Sequence, residues 1–222
     1  MNVTVTNEIA AVCPEFKGMM VEARVVNSPY NEGLWQKIES ARDMKNFLSI
    51  DSIKSWKPIA ATRRVYKACG KDPSRYRPAA EALLRRLLQG KELYKVDTLV
   101  DLLNYASITT GYSLGGFDTS KFVGDMLTLG IGRHDEPYVG IGRGSLNIEG
   151  LPVYRDALGG VGTPTSDSER TKIDLSTTRL TVLINGYDGD SIALEHCATL
   201  IATLAADFAS ATDISIKRFL KQ

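Results

Sequence analysis

The sequence predicts a mixed α/β fold, on three observations. Helix-period apolar patterns with recognisable starts and stops are concentrated in the first half. Short β-rich runs between glycine turns give the second half a mixed sheet, and the apolar run 179–185 reads as a clear strand. No Pro/Ser-rich linker or internal repeat divides the chain, so residues 1–222 are expected to form a single domain.

In chain order, residues 3–6 read as a short strand and residues 18–27 as a β-rich, partly buried one, ended by Asn27, Ser28 and Pro29. Over residues 31–47 the apolar positions Leu34, Trp35, Ile38, Ala41 and Phe47 fall at near-helical spacing. Asp51 is placed to cap a further helix through Trp56, and Pro58 interrupts it. Residues 59–69 form a helix closed by Gly70, which accepts the positive φ of a helix stop. The turn 72–78 projects its bases from an irregular backbone, and Pro78 then opens a helix that stops at Gly90. Asp97 caps a helix over Thr98–Thr110, stopped by Gly111. Beyond it, residues 126–129 and 151–154 read as strands, and Ser191–Ala209 as a well-buried helix.

Hydrophobic content of 43% and charged content of 24% are ordinary for a globular protein and exclude wholesale disorder. Cys13, Cys69 and Cys197 are odd in number and lack a Cys-x-x-Cys pair, so neither a disulfide framework nor a zinc knuckle is indicated. No metal or cofactor is expected. With no signal-peptide pattern at the N-terminus and no apolar run approaching a membrane span, a cytoplasmic protein without membrane contact is expected. Charge is uneven. Between Lys54 and Lys95 twelve bases face three acids, a local +9 that leaves −8 for the remainder. Such a block suits a phosphate-binding face; solvated helix faces balanced in space by the acidic remainder have the same composition.

Spacing of three gathers Thr98, Asp101, Asn104 and Ser107 along one side of their helix. Asp101 beside Asn104 could orient a water or grip an amine, and a solvent-facing polar stripe has the same pattern. The Gly-Ile-Gly-Arg repeats at 130–133 and 140–143 lack the strand and helix of a dinucleotide fingerprint and read as hairpin turns. Residues 156–170 pair a glycine turn, Gly159 and Gly160, with a dense row of hydroxyls and acids. Either an oxyanion-binding backbone or a long surface loop has that composition. His134 in a polar turn and His196 in a helix give no support to a Ser–His–Asp triad.

Three stretches carry a resemblance: residues 72–86, residues 99–107 with their Val-Asp-x-x-Asn-Tyr core followed by Gly115-Gly-Phe-Asp118, and residues 162–171. Together they resemble the free-standing form of the B3/B4 domain of the bacterial phenylalanyl-tRNA synthetase β-subunit, over about residues 58–185. The resemblance implies a B3/B4-type editing-domain fold that binds the acylated 3′ end of tRNA and hydrolyses a wrong aminoacyl ester with an activated water. It implies no metal, and neither DNA binding nor aminoacylation is expected. On this reading Asp101, Asn104, Gly159 and Gly160 position the water and the oxyanion, and Thr163, Thr165 and Asn185 line the substrate pocket. Arg75, Arg77, Arg85 and Arg86 serve phosphate or structural ion pairs, with Glu81 as an internal partner. Asn185 stands where the synthetase has a glutamate associated with amino-acid discrimination, so tyrosine need not be the substrate. A tRNA- or RNA-binding module without catalysis and an amino-acid or small-molecule sensor are the rival functions. Oligomeric state is left open.

Overall fold

A computed structural model describes residues 1–46 and 48–219, with the side chains of residues 44–46 outside the description. The chain is a mixed α/β fold of six α-helices and ten strands among those residues. Its order is β1 (Asn2–Val5), α1 (Asn7–Val12), β2 (Lys17–Arg24), α2 (Glu32–Ser40), α3 (Lys57–Ala68), α4 (Ala79–Leu88), α5 (Thr98–Thr110), β3 (Leu114–Asp118) and β4 (Met126–Ile131). Then follow β5 (Val139–Gly140), β6 (Gly144–Ser145), β7 (Pro152–Asp156), β8 (Gly159–Gly162), β9 (Arg179–Gly186), α6 (Ser191–Ala209) and β10 (Thr212–Phe219).

Two four-stranded sheets result, ordered β1-β4-β7-β8 and β10-β2-β9-β3. The first is mixed, because β1 runs parallel to β4 while the other pairs are antiparallel; the second is wholly antiparallel. β9 explains the arrangement. Leu180, Val182 and Ile184 enter a core with α2, α5 and α6, while Leu183 enters a second core with Phe117, Leu127, Leu129 and Val161. A strand covered on both faces must be apolar at consecutive positions, as β9 is.

Local chemistry accounts for several element ends. Asp97 caps α5 by accepting from the Val100 N–H at 2.9 Å, and Gly111 stops it at φ +77°. Pro58 lies in the first turn of α3, where its missing N–H costs nothing, so it starts that helix. The expected helix after Asp51 is a single 3₁₀ turn, Ile53–Ser55, because Ser49 and Ser52 hydrogen-bond each other's backbone and bend the chain. Helix α2 ends at Ser40 in a 3₁₀ segment, and Phe47 lies outside the described residues. Against the expectation that no apolar run reaches membrane-span length, the 19-residue α6 is long and apolar enough to cross a membrane. Here it buries one face, including Leu194, Cys197, Ala198 and Ile201, against β2, β9 and α5, and is less buried than its apolar circumference suggests.

Replacing Gly111 with alanine forces a side chain into the left-handed region with Cβ about 3.2 Å from the Trp56 ring. A loss of about 1–2 kcal/mol is expected, read as a lower urea midpoint at unchanged slope.

Candidate functional site

Strand β3 is an edge of its sheet, and a pocket of about 450 Å³ opens beside it. Val100 and Leu103 of α5, Leu114 of β3, and Ile173 with Leu175 form most of its wall; Val96 and Ile141 stand exposed at its rim. Apolar walls with a few polar groups are the usual make-up of a small-ligand site. Five polar side chains reach the lining: Asp97, Asn104, Asp167, Lys172 and Asp174. Three are already engaged. Asp97 caps α5, Asp174 accepts from Lys121 Nζ at 2.5 Å, and Lys172 donates to Glu169 Oε2 at 2.6 Å. Asn104 is half-buried and makes no side-chain hydrogen bond among the described residues.

Asp167 is the unusual group. Its Oδ2 accepts the outward N–H of Gly116 at 3.0 Å, taking the place of a neighbouring strand at the β3 edge. Its Oδ1 is shut off from solvent and has no hydrogen-bond partner among the described residues. A Cβ at Gly162 would stand 2.8 Å from that oxygen and 2.6 Å from the Phe117 ring, so glycine there makes the space the carboxyl occupies. Burial pushes the Asp167 carboxyl up to about 8, against the smaller opposing effect of the Gly116 N–H. An acid held in this condition is a candidate functional group with a stated physical cause.

The sequence-predicted residues are not gathered in one place. Asn104 lines the pocket, whereas Asp101 is buried elsewhere, accepting from Trp35 Nε1 at 2.7 Å and the Val96 N–H at 3.1 Å. Desolvation raises its pKa as well. The polar stripe of α5 is therefore largely internal, not solvent-facing, with Thr98, Asp101 and Ser107 buried. Residues 156–170 are likewise no surface loop. Gly159 and Gly160 belong to β8 and border a separate hollow with Tyr138 and Arg170. The Gly159 N–H is spent on Asp156 Oδ1 at 3.2 Å, and Gly160 abuts the Tyr138 ring, so neither stands ready for an oxyanion.

Thr163 Oγ1 accepts from the Thr165 and Ser166 N–H groups and donates to the Ser166 carbonyl, closing its own turn. Thr165 Oγ1 meets the Tyr66 hydroxyl at 2.9 Å and donates to the Tyr76 carbonyl, tying that turn to α3 and to residues 72–78. Asn185 is buried between the sheets, its Oδ1 accepting from the Tyr154 hydroxyl at 2.7 Å, away from the pocket.

Among the bases, Arg63, Arg77 and Arg85 converge on the buried Glu81 at 2.7, 3.5 and 3.0 Å. Arg86 Nε donates to the Glu92 carbonyl at 2.5 Å, and Arg75 is exposed near the Tyr76 ring. Elsewhere, burial pushes the Cys13 and Cys197 thiols up to about 12, which suppresses their thiolates. His134 is exposed, and its hydrogen bond with Glu149, together with the charges of Asp135 and Glu149, raises its pKa.

Sequence reasoning missed Asp167. It lies within the flagged segment 156–170, but nothing in local spacing shows that Gly116, some fifty residues earlier, donates to its carboxyl.

A family model described as the B3/4 domain matches residues 61–210. An N-terminal fragment of the phenylalanyl-tRNA synthetase β-subunit from Pyrococcus horikoshii has a similar fold, with a TM-score of 0.50 and 13% sequence identity over 97% of this chain. The chain spans half the length of that fragment. No curated protein sequence matches.

The two desolvated aspartates should respond oppositely to substitution. Asp101→Ala strands the Trp35 and Val96 donors and is expected to cost about 1–3 kcal/mol. Asp167 has its folded pKa raised, so its contribution is favourable below the ordinary carboxylate pKa and is lost as pH rises towards about 8. Asp167→Asn should therefore gain in melting temperature over the wild type from pH 4 upward, most of all at pH 9. A melting difference independent of pH would show that Asp167 ionises normally.

Proposed function

The chain belongs to the B3/4 domain family, and on that premise we propose that it binds tRNA and hydrolyses mischarged aminoacyl-tRNA in trans. The juxtaposition that carries this is an apolar pocket of about 450 Å³ meeting Asn104 and the desolvated Asp167. A volume of that order accommodates an amino-acid side chain. The fold it shares with a fragment of a tRNA synthetase subunit supports an aminoacyl-tRNA as the substrate in this reading.

Ester hydrolysis needs a positioned water, a proton acceptor and a donor to the developing oxyanion. In the proposed reaction Asp167 takes a proton on Oδ2, the carboxyl oxygen that is not sealed off, from a water in the pocket as the water oxygen bonds to the ester carbonyl carbon. The Asn104 amide donates to the resulting oxyanion. Collapse breaks the bond to the ribose oxygen, which takes the proton back from Asp167, leaving free amino acid and deacylated tRNA. Val100, Leu103, Leu114 and Ile173 form the wall that selects the amino-acid side chain. Asn185, committed to Tyr154, takes no part in that selection.

A carboxyl titrating near 8 makes an efficient base at mildly alkaline pH. Deacylation of a panel of mischarged tRNAs should rise with pH to a plateau above about 8. Asp167→Asn should abolish it, and Asn104→Ala should lower the maximal rate about 10²-fold. A rate that falls over the same range would make Asp167 the acid, and a panel with no substrate would leave only binding.

A further inference from the structure

The segment between α4 and α5 has no regular secondary structure, and its side chains are arranged in a way that hydrolysis does not use. Tyr94 is 67% exposed, and the Arg86 guanidinium lies 4.0 Å from its ring centroid. The bond from Arg86 Nε to the Glu92 carbonyl holds that guanidinium in place. Next along the chain, Lys95 Nζ stands 5.1 Å from the half-exposed Tyr30 ring and 4.8 Å from the Trp35 ring. Val96 follows directly, and it lines the pocket. Tyr30 is tied to the same place through Ser28, whose hydroxyl bonds Thr98 at the first turn of α5.

Large exposed aromatic rings backed by cations are poorly explained by stability, because the rings remain in water. They match the requirement of unpaired bases, which stack on tyrosine and arginine planes while nearby positive charge holds the phosphates. We propose that Tyr94 with Arg86, and Tyr30 with Lys95, form a stacking platform for the unpaired 3′ nucleotides of an RNA, presenting its terminal ester to the pocket across Val96. The placement rests on the pocket being the hydrolytic site; the stacking itself does not. It also moves the main RNA contact away from Arg77 and Arg85, whose charges are shared with Glu81.

The test uses the full chain and a short 5′-fluorescein-labelled single-stranded RNA, with a blunt RNA duplex of the same length as comparison, read by fluorescence anisotropy at fixed salt. The single strand should bind more tightly than the duplex. Tyr94→Ala, at an exposed position and so expected to fold, should weaken single-strand binding about tenfold, while Tyr94→Phe should retain it. Equal affinity of the wild type and Tyr94→Ala, or no binding of the single strand at all, overturns the platform. Single-strand binding without deacylation of any mischarged tRNA keeps the platform and removes the hydrolase. Deacylation with an unchanged KM in Tyr94→Ala does the reverse.

Discussion

The hydrogen bond from the Gly116 N–H to Asp167 Oδ2 joins the two halves of the fold. An edge strand presents a row of unpaired backbone groups, and a buried one needs substitutes for the missing neighbour. Asp167 provides one from a turn whose own backbone bridges to Gly162, on a strand of the other sheet. Asp167 thus links β8, through its backbone, to β3, through its carboxyl, and the pocket opens beside β3. Its charge comes at a cost, since Oδ1 lacks a partner among the described residues and desolvation holds the acid near 8. A group kept in an unfavourable state by the surrounding fold is a common sign of function.

Charge follows a related logic. The basic block between Lys54 and Lys95 is not simply a face awaiting phosphate, because part of it is consumed internally. One buried carboxylate, Glu81, organises three arginines, and Lys57 and Arg64 pair with Asp190 and Glu15 from outside the block. Removing one partner from such a buried arrangement leaves uncompensated charge, so these residues brace α3 against α4. Among the described residues, the cations of the block left in contact with exposed aromatic rings are Arg86 and Lys95, and Lys95 directly precedes Val96 at the pocket rim.

What was legible in the sequence follows from the range of the interactions concerned. Helix α5 could be read to the residue because Asp97 and Gly111 act within one turn of its ends. Strand β9 was evident because two covered faces demand a continuous apolar run. Strand β10 and the pairing of β1 with β4 depend on contacts across the whole chain, and no local pattern encodes them. At the site, Asn104 was found by its helical spacing, while Asp101 on the same stripe turned inward to Trp35. Gly159 and Gly160 were singled out for conformational freedom, yet Asp156 and Tyr138 occupy the space and the donor that freedom would expose. Asp167 was concealed because its role is set by the N–H of Gly116, some fifty residues away, while nothing in the local sequence shows that the missing side chain of Gly162 leaves room for its carboxyl.

The carboxyl carbon of Asp167, followed by ¹³C NMR across a pH titration, tests the claim on which the site depends. A midpoint near 8 is the result of a carboxyl desolvated between β3 and β8. A midpoint near 4, the ordinary carboxylate value, would mean that water reaches Asp167 freely and that the pocket holds no tuned acid.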